Sequence, residues 1–223
     1  MLQWLDSEFR AARRARRARA DVDWRDASYV AVDLETNGLH CDASGILSIA
    51  WVVLGVQGVA LSTAQYHVVA SQQTLNQSAI HHGLRERDLR AGEALGEVMQ
   101  ALAQDLENRY LVAHHAPFDW KLLQQAARVT EVALNPLGII DTLMLERQRL
   151  GHPFRDHPMH KAHQDDFTLP ACGARFHLPA RPAHHALEDA LACGELFLAQ
   201  AWHLSQTRML TVRELIRRSR QRL

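Results

Sequence analysis

Two rhythms of apolar and polar positions alternate along this chain, and the change from one to the other marks out its elements. Three runs come early: SYVAVDL (28–34), ILSIAWVVLGV (46–56) and VALSTAQYHVV (59–69). All are rich in the β-branched and aromatic side chains that suit a pleated surface. A Gln-Gly pair before the third run signals a tight turn, so the three are expected to pair as an antiparallel meander. The rhythm then turns helical. Leu95, Val98, Met99, Leu102 and Leu106 share one stripe of a helix over 92–107. Short strands at YLVAHH (110–115) and LGIID (137–141) alternate with helical stretches at 118–129 and at TLMLERQRL. TLPACGARF (168–176) and residues 185–204 read as two more helices. Three hairpin-like strands followed by αβαβα predict an α/β domain with a mixed five-stranded sheet and helices on its faces. Ligands of such sheets gather at strand ends, near a switch in topology.

The ends have another character. Leu5, Phe9 and Ala12 fall at helical spacing among six arginines in residues 1–20, and TVRELIRRSRQRL closes the chain as an Arg-rich amphipathic helix. The expected organisation is an N-terminal helix (1–24), a central domain (25–204) and a basic C-terminal helix (205–223). Formal net charge is zero, so basic ends flank an acidic body. That asymmetry suits a chain that meets polyanions at its extremities, although charge runs are also ordinary solvated helix faces.

Composition narrows the class. Apolar residues at 47% and charged residues at 22% are usual for a soluble globular protein. The longest apolar run, 46–56, is too short to span a bilayer, and residues 1–20 hold no apolar core of the signal-peptide type. Cys41, Cys172 and Cys193 show no CxxC spacing, which suggests reduced thiols in a cytoplasmic setting.

One stretch resists a purely structural account. VAVDLETNGL (30–39) places Asp33 and Glu35 in a strand-like run, and positions i and i+2 of a strand share a face. Two carboxylates side by side raise the cost of ionising each other unless a cation stands between them. Asp119 in LVAHHAPFDWKLL and Asp189 in HHALEDALA are also acids set in apolar contexts. Singly, each reads as a first-turn helix acid or an exposed one. Together the four describe an oxygen-rich site for a hard cation, Mg²⁺ or Mn²⁺. Two such ions can activate water and stabilise the leaving oxygen of a phosphodiester.

VAVDLETNGL, LVAHHAPFD and HHALEDA, in that order, resemble the DEDDh group of 3′→5′ exonucleases, most nearly its branch of proofreading subunits of bacterial DNA polymerase III, the epsilon type. IIDTLML and TLPACGARFHL extend the likeness, which spans roughly 28–204. The resemblance implies a ribonuclease-H-like fold and two divalent ions. It makes Asp33, Glu35, Asp119 and Asp189 the metal ligands and His184 the general base. Thr36 and Leu39 fall where that group contacts the 3′-terminal nucleotide. His115 stands where the group usually has Asn and is expected to border the substrate. In the doublet His184–His185, helical spacing to Asp189 favours His185, whereas the group's pattern favours His184, just outside the helix. Asp141 reads as a strand-end or capping residue.

The histidines at 152, 157, 160 and 163 lie in a Pro-containing polar stretch without zinc spacing and read as a solvated loop. The implied activity is release of nucleoside 5′-monophosphates from the 3′ end of single-stranded nucleic acid, DNA ahead of RNA, with DNA polymerase as a candidate partner. An exoribonuclease and a catalytically silent nucleic-acid-binding or polymerase-tethered module are the alternatives.

Overall fold

β1 (Tyr29–Thr36) is the axis on which everything else is hung. The computed structural model describes residues 20–38, 42–72, 83–151 and 167–220. On one side β1 pairs antiparallel with β2 (Ile46–Gly55), setting Asp33 opposite Ala50 and Glu35 opposite Ser48. The register slips between Glu35 and Thr36, so the ladder loosens just past the second carboxylate.

The outer edge departs from the expected count. Residues 59–69 form two strands instead of one, β3 (Gly58–Val59) and β4 (Gln65–Val68), both antiparallel to β2, and the sheet has six strands. A 3-10 turn at Leu61–Thr63 separates them. The Thr63 hydroxyl accepts from the Val53 N–H (2.9 Å) and donates to the Ala60 carbonyl (2.7 Å), replacing ladder bonds with local ones.

After α1 (Glu86–Arg90) and α2 (Leu95–Leu106) the chain enters β5 (Tyr110–Ala113), parallel to β1. α3 (Ala116–Thr130) leads to β6 (Ile139–Asp141), parallel to β5 and at the sheet edge. α4 (Thr142–Arg149), α5 (Leu169–Arg175), α6 (Ala186–Leu204) and α7 (Val212–Arg218) follow. The five-residue α1 was not signalled by periodicity. The Arg85 backbone N–H donates to the Asp88 carboxylate (2.9 Å) at its start.

Alternation along β1 sorts the core in two. Val30, Val32 and Leu34 face α2 and α3, packing with Val98, Met99, Leu102, Leu122 and Leu123. Tyr29 and Ala31 face α6 and α7, packing with Phe197, Ala201, Val212 and Leu215. Close approach explains two glycines. A Cβ on Gly194 would meet Ala31 Cβ at 3.4 Å, where α6 crosses the sheet. One on Gly138 would lie 2.6 Å from Ile216 Cδ1, where α7 presses on the β6 edge. The Trp24 N–H donates to the Leu210 carbonyl (3.0 Å), and the Val212 N–H to the Val22 carbonyl (3.2 Å). Residues 20–26 and 205–219 therefore lie against each other. Residues 1–19 and 221–223 lie outside the described residues. Among those described, no helix is long and apolar enough to cross a membrane.

Candidate active site

The odd positions of β1 continue past Ala31 as Asp33 and Glu35, on the side covered by α6. Asp189 lies in the first turn of α6. Before that helix, His184 adopts a left-handed backbone (φ 64°), and its N–H donates to Asp189 Oδ2 (2.8 Å). The Asp189 N–H in turn donates to the His185 carbonyl (2.9 Å). The fourth acid arrives from the opposite layer. β5 ends at Ala113, His115 turns the chain with φ 75°, and Pro117 opens α3, a position where its missing N–H costs nothing. Asp119 follows in the first turn and is 4% exposed.

One oxygen from each of Asp33, Glu35 and Asp189 lies within 4.8 Å of the others. Among the described residues no arginine or lysine pairs with any of these three or with Asp119. The electrostatics follow. Burial, then the charges of Asp119, Asp189 and Glu35, push the Asp33 carboxyl far above the usual range. Burial and Asp189 raise Glu35 to about 7. Asp119 is driven up strongly by burial and by Asp141, with Glu35 adding. Asp189 is raised by burial and partly relieved by the His184 N–H. Asp33, Glu35 and Asp189 offer an oxygen donor set that could hold a hard cation, and the structure does not bring Asp119 into that set of oxygens.

Several residues brace this cluster. Asp141 caps α4: its Oδ1 accepts from the backbone N–H groups of His115 (3.1 Å), Leu143 (3.0 Å) and Met144 (3.3 Å). Its Oδ2 is buried without a partner, and burial lifts the group to about 6. The half-buried His114 joins two elements. Its Nε2–H donates to the Phe167 carbonyl (2.9 Å), which leaves Nδ1 to accept from the Thr142 hydroxyl (2.8 Å). Burial lowers this imidazole to about 4, so it stays neutral near pH 7. Nothing in the periodicity pointed to His114. Its place at the end of the strand-like run 110–115 was the available signal.

The structure separates the histidine doublet. His184 is exposed, whereas His185 is half-buried, with its ring stacked on Tyr66 (centroids 4.7 Å apart, 24° between planes) and Nδ1 buried without a partner. Tyr66, from β4, went unnoticed in the sequence because a lone edge-strand tyrosine carries no pattern. His115 is exposed and parallel to Phe118 (6.5 Å, 5°). Thr36 ends β1, and its hydroxyl donates to the Gly38 carbonyl (3.2 Å). Leu39 and the histidines at 152–163 lie outside the described residues.

A family model described as Exonuclease, of the RNase T type, matches residues 30–197, a stretch that carries all four acids. The PolC-type DNA polymerase III of Thermotoga petrophila is 24% identical over 180 residues, which cover 80% of this chain and 12% of that protein. The 3′-5′ exonuclease DinG of Staphylococcus epidermidis is 25% identical over 191 residues, 85% of this chain and 20% of that protein. The chain thus spans a small part of these relatives' length. Among solved structures, Exonuclease X in complex with 5′ overhanging duplex DNA superposes with a TM-score of 0.63 at 19% identity, covering 86% of this chain and 99% of that one. The sheet and its flanking helices have the ribonuclease-H-like arrangement of such exonucleases.

Proposed function

The chain belongs to this exonuclease family, and from that premise we propose that it removes nucleotides from the 3′ end of single-stranded DNA with the help of Mg²⁺ or Mn²⁺. The observation that carries the proposal is the set of three carboxylate oxygens within 4.8 Å, with no described arginine or lysine paired to them. Two divalent ions bound there would supply Lewis-acid stabilisation of the phosphate and ease deprotonation of the attacking water.

The chain's own residues take the following parts. Asp33, Glu35 and Asp189 hold the ions from the β1 and α6 side. Asp119 completes the set from the first turn of α3. The N–H of His184 orients the Asp189 carboxylate, and its imidazole, outside the helix, takes the proton from the attacking water. An imidazole is the side chain suited to proton exchange near neutral pH. His185 is the poorer base, because its ring is packed against Tyr66. The parallel rings of His115 and Phe118 flank the terminal nucleotide, and the resemblance gives Thr36 and Leu39 as its further contacts. DNA polymerase is the partner that the PolC-type likeness supports, and copurification of the two would test it.

The test is incubation of the purified chain with 5′-labelled single strands of DNA and of RNA, with Mg²⁺ or Mn²⁺ and with chelator. The expected result is a ladder of DNA strands shortened from the 3′ end and abolished by chelator. Faster shortening of RNA would transfer the proposal to an exoribonuclease. Tight binding without shortening of either would reduce the chain to a binding module.

A further inference from the structure

Between the start of α3, the segment preceding β6 and α7 lies a groove of about 900 Å³. Its floor is apolar, with Trp120, Ile139 and Ile216. Along the α7 side run Arg213 and Arg217, at i and i+4 on one flank of the helix, and Arg220, just past its end. The same groove is bordered by Ala116 and Pro117, which open the helix carrying Asp119, and by Asp141, whose charge is felt at Asp119. Asp33, Glu35, Asp119 and Asp189 are not among its lining residues; its link to them is the first turn of α3, which gives Pro117 to the groove and carries Asp119. Among the described residues, Glu214 is shared by Arg208, Arg217 and Arg218, and Asp21 pairs with Arg213, which leaves positive charge in excess at Arg217 and Arg220.

An apolar floor with an aromatic ring and a basic wall, beside the helix that carries one of the site acids, match one chemistry. Bases lie on aromatic and aliphatic surface while phosphates meet arginines. We infer that this groove is the track for the 5′-ward part of a single strand whose 3′ end lies among the carboxylates. Phosphates run along Arg213, Arg217 and Arg220, and bases rest on Trp120 and its apolar neighbours. The catalytic half of this picture rests on the exonuclease reading; the binding half does not.

The test uses the full chain carrying Arg217→Glu and Arg220→Glu together, both side chains being exposed. Fluorescence anisotropy in chelator measures binding of a single strand of roughly 20 nucleotides, long enough to occupy groove and site at once. The expected result is binding weakened about tenfold at 0.1 M salt, with the slope of log Kd against log salt reduced by ~1.4 for two lost phosphate contacts. With Mn²⁺, KM for the same strand rises while kcat/KM on the p-nitrophenyl ester of thymidine 5′-monophosphate, which is too short to enter the groove, stays at the wild-type value. Unchanged binding of the long strand overturns the inference, and covers the case of a groove that seats a protein segment instead. An equal fall on both substrates overturns it too, because the substitutions would then act on the site itself. If wild-type protein cleaves neither substrate, the exonuclease reading fails, while the anisotropy result still decides for or against the track.

Discussion

A buried acid and a cluster of mostly half-buried ones in this molecule have opposite surroundings. Glu146 on α4 is fully buried, yet its oxygens are held by Arg149 (2.6 and 2.9 Å), by Arg175 (3.4 Å) and by the amide of Gln200 (3.4 Å). Burial alone would push this carboxyl up, but the bonds from Arg149, with Gln200 and Arg175 behind them, bring it below its ordinary value. It stays ionised and ties α4, α5 and α6 together. Asp33, Glu35, Asp119 and Asp189 have no such partners, and all four are pushed up. An acid that brings its own cation is part of the scaffold. A set of acids without one stores unfavourable charge that a bound ion or a proton relieves, and stability is spent where function needs it.

The contrast breaks first at Asp33. Replacement by Asn is expected to cut nuclease activity at least about a thousandfold, ~4 kcal/mol of transition-state stabilisation. In chelator the same variant should melt no lower than the parent, because one repelling charge is gone. A clear drop in melting temperature, measured by circular dichroism, would put Asp33 in the scaffold class after all.

His184→Gln is expected to lower kcat about a hundredfold with little change in KM, as for a lost general base. His185→Gln should affect melting more than kcat, since its ring packs on Tyr66. Single-turnover rates on a labelled strand would show whether the two have been assigned the wrong way round.

Glu146→Gln sharpens the comparison from the other side. It strands two arginines beside a neutral group and should destabilise the fold by about 3 kcal/mol in urea titration. Catalysis well below the melting temperature should be untouched. Lost activity in a folded variant would mean that this network reaches the site.

The mildest effect is a pH trend. Glu35 has a folded value of about 7 against an ordinary 4.5, so its contribution to stability is complete below the ordinary value and is lost as pH rises through 7. Asp33, Asp119 and Asp189 act in the same direction. Melting temperature in chelator should fall from pH 5 to pH 8, and the rise produced by added Mn²⁺ should grow over the same interval. A metal increment that is flat across this range, in differential scanning fluorimetry, would argue against ions bound by these carboxylates.

Much of this was legible along the chain. The i, i+2 placement of Asp33 and Glu35 is a property of any strand, and the helical stripe of Leu95, Val98, Met99, Leu102 and Leu106 is a property of α2. The single run at 59–69 misled, because the Thr63 hydroxyl takes the Val53 N–H that a continuous strand would have used. Hydrophobic alternation does not register a side chain competing for a backbone bond.

The local pattern determined which faces are apolar, where helices begin and which residues carry carboxylates, because propensity and periodicity act over a few residues. Tertiary structure alone decided that Asp189 meets Asp33 and Glu35, that Glu146 receives arginines while they do not, and that His184 stays in solvent while His185 packs on Tyr66. Those outcomes depend on contacts between residues up to 156 positions apart (Asp33 and Asp189), and pairing at that range is set by how whole layers stack.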